Sequence, residues 1–106
     1  MVEATKTPEM TKRAKWEKIK RELLKLPKTY PEIIGIVISL EYDAIILVVR
    51  PVSSTYELSL YREGRKMELK LGVNFARYEI YNLDNFPEGF LWKEHFDKRF
   101  KIIYDS

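Results

Sequence analysis

Two short apolar runs constrain the fold of this chain more than any other feature of its sequence. Residues 33–40 and Ala44–Val49 are rich in isoleucine and valine, and a polar turn at 41–43 separates them. A short β-branched run that is apolar at both alternating sets of positions is typical of a strand buried on both faces. We therefore predict two central strands in a sheet that is covered on both sides. Gly35, inside the first strand, indicates a bulge or the close approach of another element.

An amphipathic helix is predicted ahead of these strands, from Thr7 or Pro8 to Leu26. Its apolar stripe recurs at steps of three and four residues and consists of Trp16, Ile19, Leu23 and Leu26. Thr7 is the expected N-cap, with Pro8 at the first helical position, and Pro27 and Pro31 are expected to end the helix. Residues 1–7 are expected to be disordered, within a single domain over residues 1–106.

The segment after the apolar runs alternates with a period of two, which predicts a β-hairpin. Residues 56–62 and 66–71 each alternate apolar and polar side chains, and a turn at 63–64 would join them. In this register the apolar residues of the two strands face one another on one side, with Leu58 opposite Leu69. On the other side Glu57 lies opposite Lys70, a complementary charge pair.

A second turn at 72–73 would continue the hairpin into a third strand. This turn opposes Glu68 to Arg77 and Lys66 to Glu79, which avoids pairing like charges. Together with the two apolar runs, these strands predict a five-stranded antiparallel meander. The charges on the outer face of the meander would then cancel in opposite-sign pairs.

The C-terminal part predicts a second helix, over residues 88–98. Four apolar residues fall on one side of a helical wheel, namely Trp92, Phe96, Phe100 and Ile103. However, Phe100, Ile102 and Tyr104 also alternate as they would in a strand. The tail after Arg99 therefore stays open between helix and a sixth strand. The predicted fold class is α+β.

Composition excludes several classes of protein. The chain has no cysteine, so disulfides, zinc-thiolate sites and thiol chemistry are excluded. It has no apolar run of about 18 residues and no signal-like N-terminus, so we expect a soluble, cytoplasmic protein without membrane contact. Lysine and glutamate are abundant and glutamine is absent, which is typical of proteins from hot environments. A thermophilic source is predicted.

The sequence offers little for catalysis. The four glycines are too dispersed for a phosphate-binding loop, and His95 is the only histidine. We predict no catalytic residue, no metal site and no cofactor. The enzyme alternative is a carboxylate-metal-dependent nuclease that uses Asp43 and Glu57, although Ser59 stands where the lysine of such sites would follow.

The binding hypothesis depends on charge. The sequence has 19 basic and 16 acidic residues, and residues 1–31 alone carry a net charge of +5. The first helix carries four basic residues within about 120° on the side away from its apolar stripe, a geometry that can follow a phosphate backbone. These candidate nucleic-acid-binding residues are Lys15, Lys18, Arg21 and Lys25. Glu22 lies among them, and Glu17 is spaced to pair with Arg21.

Protein association is the remaining alternative. Two helices need not cover both apolar faces of the central strands, and uncovered apolar sheet marks an interface. A homodimer or an inhibitor of a partner protein would use such a face, whereas one helix on each face would leave no such interface. Before the structure is considered, the chain is interpreted as a small non-catalytic binding or assembly module, with nucleic acid as the favoured ligand.

Overall fold

The computed structural model describes residues 8–106, with side chains from residue 12 onward. It shows two helices on one face of a four-stranded mixed sheet. In chain order the elements are α1 (Pro8–Thr29), β1 (Ile33–Ser39), β2 (Ala44–Val49), α2 (Ser54–Leu71), β3 (Arg77–Asn82) and β4 (Lys101–Asp105). The strand order in the sheet is β3-β2-β1-β4. The expected cap at Thr7 and the expected disorder of residues 1–7 concern residues outside this described part.

The central hairpin confirms the prediction from the apolar runs. β1 and β2 pair antiparallel, and every residue of β2 is buried. Gly35 has both predicted features: the pairing register shifts beside it, and the ring of Trp92 lies directly over it. A Cβ atom at Gly35 would lie 2.3 Å from that ring, so only glycine fits there.

The five-stranded antiparallel meander is wrong, because residues 54–71 form the helix α2 instead of a hairpin. Residues 56–71 contain no β-branched residue and consist largely of good helix formers, which favours a helix. The Ser53 hydroxyl accepts a hydrogen bond from the Tyr56 N–H and caps the first turn. Gly72 ends the helix in the left-handed conformation, with φ of 66°. The local alternation was therefore compatible with a helix as well.

Gly64, which was predicted to lie in a turn, instead lies in the middle of α2. It is buried, and the ring of Tyr78 packs against it. The glycine lets α2 approach β3 closely. Because α2 connects β2 to β3, these two strands are parallel, with Ile45 beside Tyr78.

The predicted C-terminal helix over residues 88–98 is also wrong. Only one short turn of 3-10 helix, Trp92–Glu94, is found there, and the tail after Arg99 is strand β4, antiparallel to β1. The aromatic residues of this segment spread over the second face of the sheet instead of lining one side of a helix. Trp92 packs there on Val37, Ile46 and Val48.

Both faces of the sheet are thus covered, one by the helices and the other by the segment over residues 83–100. The predicted stripe of α1 is buried against the sheet and α2. The helix ends three residues later than expected, because Pro27 lies inside its last turns and the chain turns only after Thr29. Across the described residues, the model contains no helix long and apolar enough to cross a membrane.

Candidate nucleic-acid interface

The four predicted binding residues lie on the exposed side of α1, and the longer helix adds Lys28 to them. We call these five side chains the basic ridge; it consists of Lys15, Lys18, Arg21, Lys25 and Lys28. All five are exposed. They lie on the side of the helix opposite its buried stripe, because each residue turns the helix by about 100°. The sequence analysis left Lys28 out of the binding residues because it expected the helix to end at Leu26.

One ridge residue is neutralised by a neighbouring carboxylate. The Nζ atoms of Lys25 and of Lys70, on α2, both lie 3.1 Å from Oε2 of Glu22. The hydrogen bonds from Lys70 and Lys25 lower the pKa of the Glu22 carboxyl group. This carboxylate therefore offsets positive charge both on the ridge, at Lys25, and on α2, at Lys70.

The other four ridge residues have no such partner. In the part of the chain described from residue 12 on, no carboxylate oxygen lies within 4.0 Å of the charged nitrogens of Lys15, Lys18, Arg21 or Lys28. Glu17 pairs with Lys20 at 3.0 Å instead of with Arg21, and the hydrogen bond from Lys20 lowers the pKa of the Glu17 carboxyl group. The ridge thus keeps most of its positive charge.

The three glutamates of α2 are turned toward the protein. Glu57 accepts a hydrogen bond of 2.6 Å from the Asn82 side-chain amide, and Glu63 accepts one of 2.9 Å from the Tyr30 hydroxyl. Glu68 accepts one of 2.8 Å from the backbone N–H of Phe75. All three are half-buried, whereas the four basic residues of α2, Arg62, Arg65, Lys66 and Lys70, are exposed.

The result is a one-sided distribution of charge. Over residues 12–29 and 54–71 there are twelve basic and five acidic side chains, a net charge of +7, so the remainder of the chain carries −4 of the total of +3. Among the exposed charged side chains of these two stretches, Glu17 alone is acidic. The segment on the other face, residues 83–100, has four acidic and three basic residues. Positive potential is therefore concentrated on the layer formed by α1 and α2, which we call the helical layer.

The predicted charge cancellation on a meander face does not occur. Lys70 pairs with Glu22 of α1 instead of with Glu57, and Arg77 pairs at 2.8 Å with Glu79 of its own strand instead of with Glu68. These differences follow from the wrong secondary structure of residues 54–71. Within α2, Glu63 pairs with Lys66 at 3.5 Å and Glu68 pairs with Arg65 at 3.4 Å.

The two carboxylates of the nuclease alternative are not brought together. Asp43 lies in the turn before β2, with φ of 53°, and Glu57 lies in the first turn of α2 after β2. The six residues of β2 separate them by roughly 20 Å. Asp43 accepts a hydrogen bond from the Ala76 N–H, and the described residues contain no group of three side chains suited to a metal ion.

His95 lies on the opposite face of the sheet from the ridge. Its ring is exposed and contacts the rings of Tyr81, Phe90 and Phe96, with centroid distances of 5.7, 5.4 and 5.0 Å. These neighbours are aromatic and carry neither a nucleophile nor a carboxylate. The arrangement belongs to the aromatic cover of the sheet.

The argument for a homodimer from an uncovered sheet does not hold, since both faces are covered. The most exposed large apolar residues on the helical layer are Leu58 and Leu69 of α2, with 49% and 71% of their surface exposed. Arg62 and Arg65 lie between them on the same side of the helix. This side of α2 mixes apolar and positive groups.

Comparisons with models of protein families, with curated proteins and with solved structures give no match. The ligand of this chain therefore has to be inferred from the chemistry of its own surface, on which the basic ridge is the most distinctive feature.

Proposed function

We propose that this chain is a non-catalytic, cytoplasmic protein that binds nucleic acid through the basic ridge. The observation that supports the proposal is the sorting of charge on the helical layer. Exposed charged side chains there are basic apart from Glu17, while the other four acidic side chains are at least partly buried and accept hydrogen bonds from the protein. Binding of polyanions depends on exposed cations, because contact with phosphates releases condensed counterions.

The length of the ridge suits a run of phosphates. Lys15 and Lys28 are thirteen residues apart, which corresponds to about 20 Å along the helix axis. Lys15, Lys18, Arg21 and Lys28 form no ion pair with a carboxylate of residues 12–106, so each can meet a phosphate without first breaking such a pair. Contacts to phosphates do not distinguish between base sequences. We therefore propose that the ridge provides affinity, and that any sequence preference depends on other residues.

Charge reversal on the ridge tests the proposal. Binding of a fluorescent 20-base-pair duplex is measured by anisotropy at low salt for the native chain and for the double variant Lys18→Glu and Arg21→Glu. We expect affinity to fall by about 10-fold or more, because two phosphate contacts become repulsive. Both residues are exposed, so the fold should be unaffected.

A matched control separates a local effect from a change in net charge. Lys93→Glu with Lys98→Glu makes the same change in formal charge on the segment that covers the other sheet face, where both residues are exposed. We expect this control to lose less than about 3-fold in affinity. Equal losses in the two double variants, or a native chain that binds neither DNA nor RNA, would refute the proposal.

A protein partner is the second candidate, and the exposed side of α2 is the observation in its favour. Leu58 and Leu69 flank two arginines there, which fits an amphipathic helix with acidic residues better than a second copy of this basic surface. Light scattering tests the alternative of self-association: a mass near 12.7 kDa is expected for the isolated chain. A mass twice as large would instead indicate the homodimer.

A further inference from the structure

The first described turns of α1 extend beyond the sheet. The stripe that packs on the sheet begins at Trp16, which is buried. One turn earlier, on the same side of the helix, Lys12 is exposed. The sheet therefore no longer lies beneath the helix at Lys12, although α1 continues back to Pro8.

Exposure on the remaining sides shows that residues 12–15 pack neither on the sheet nor on α2; we call them the free-standing part of α1 in this sense. Arg13, Ala14 and Lys15 follow Lys12 at successive steps of about 100°, so the four residues together point in all directions around the axis. All four are exposed. A single α-helix, including its side chains, has a diameter of about 10 to 12 Å.

Size and charge together point to one kind of nucleic acid. The major groove of B-form DNA is about 12 Å wide and admits an α-helix, whereas the major groove of A-form RNA is deep and too narrow for side chains to read. Lys12 and Lys15 are basic, and the first acidic residue after them is Glu17. The same helix continues without a break into the basic ridge.

We infer that the free-standing part of α1 enters the major groove of duplex DNA, with the basic ridge against the phosphates that flank the groove. This inference rests on the proposed function and adds the class of nucleic acid and the groove. It places Lys12 and Lys15 in the groove and at its rim, whereas Lys18 and Arg21 contact the phosphates of the DNA backbone. Duplex RNA is then bound more weakly than duplex DNA of the same length.

The groove is tested with modified DNA and with a groove competitor. The native chain is titrated with a 20-base-pair DNA duplex, with the RNA duplex of the same sequence, and with DNA whose cytosines carry glucosylated 5-hydroxymethyl groups, which fill the major groove. We expect at least about 10-fold weaker binding to the last two. Netropsin, which occupies the minor groove, is expected to change the affinity for unmodified DNA by less than about 3-fold.

A single thiol tests the position of the helix. Because the chain has no cysteine, Ala14→Cys introduces a unique thiol on the free-standing part, and Asn85→Cys introduces one at an exposed position on the other layer. Saturating DNA is expected to slow the reaction of the first thiol with a maleimide by about 10-fold and to leave the second unchanged, because a helix within the groove is shielded from the reagent.

The outcomes separate the two proposals. Equal affinity for DNA and RNA, tolerance of the filled major groove, or an unprotected thiol at position 14 would overturn the inference and leave the proposed function standing. Absence of binding to every nucleic acid would overturn both.

Discussion

Gly64→Ala is the substitution for which the structure and local propensity predict opposite results. In an exposed helix interior, this change stabilises a protein by about 1 kcal/mol, because alanine is the better helix former. Here a Cβ atom would lie 2.6 Å from the nearest atoms of the Tyr78 ring. The ring would have to retreat by about 0.8 Å to reach an ordinary contact at 3.4 Å.

The expected magnitude follows from what the retreat disrupts. Overpacking of this kind costs about 1 to 3 kcal/mol. The Tyr78 hydroxyl also donates a 3.0 Å hydrogen bond to the Leu60 carbonyl, and losing it costs about 1 kcal/mol. After the gain in helix propensity, we expect a net loss of about 1 to 3 kcal/mol, which lowers the melting temperature by about 5 to 20 °C.

Circular dichroism at 222 nm, with thermal and urea unfolding, measures this loss. The matched control is the same substitution in a Tyr78→Val background, where the ring is gone and valine preserves the strand preference of β3. Gly64→Ala should then stabilise the protein by up to about 1 kcal/mol. A stabilising effect in the native background, or the same loss in both backgrounds, would show that the contact between α2 and Tyr78 is not the cause.

Three further predictions concern single side chains. Asn82→Asp replaces the donor to Glu57 with a second carboxylate at a buried position, so the free energy of unfolding at pH 7, measured in urea, should fall by about 2 to 4 kcal/mol. Burial raises the pKa of Tyr78 above its usual value, so the stability that the neutral phenol contributes is complete below about pH 10 and is lost as the pH rises further. In Tyr78→Phe, urea unfolding should show a shallower loss above pH 10, and an unchanged slope would contradict this. Glu22→Gln removes the carboxylate shared by two lysines and should tighten nucleic-acid binding in anisotropy titrations; weaker binding would count against the proposed surface.

The parts of the fold that were predictable are those set by burial alone. The apolar runs predict the strands β1 and β2, and the apolar spacing of three and four residues predicts the buried stripe of α1. Gly35 was interpretable for the same reason, since a glycine within a buried strand indicates a bulge or a close contact.

Residues 54–71 were not predictable from alternation, because their polar and apolar residues fit either period. The decisive signals were present in the sequence as the absence of β-branched residues from 56–71, the cap at Ser53 and the glycine at position 72. Gly64 was misinterpreted as a turn residue. It is required by its close contact with the ring of Tyr78, which is distant in the sequence and could not be inferred from it. The helix predicted from the C-terminal aromatic residues was wrong for a similar reason, because these residues are buried by the sheet surface that they cover.

The ridge was predictable in part. Helical spacing alone places four of its residues on one side of α1, and the exposed positions agree with that placement. The pairing of Lys25 and Lys70 with Glu22, and the inward direction of the glutamates of α2, depend on the packing of two helices that the sequence did not reveal. Because residues 56–71 were predicted to form a hairpin with paired charges, the excess of positive charge on the helical layer was not predicted.

The salt dependence of binding to duplex DNA tests the central claim most directly. Four ridge residues form no ion pair with the side chains described from residue 12 onward. At about 0.9 counterions for each phosphate contact, they predict a slope of about −3.6 when the logarithm of the association constant is plotted against the logarithm of the salt concentration. Affinity should then fall by about 150-fold between about 50 and 200 mM salt. Lys18→Glu with Arg21→Glu should reduce the magnitude of the slope by about two, and a slope that is near zero or unchanged in that variant would contradict the assignment of the ridge.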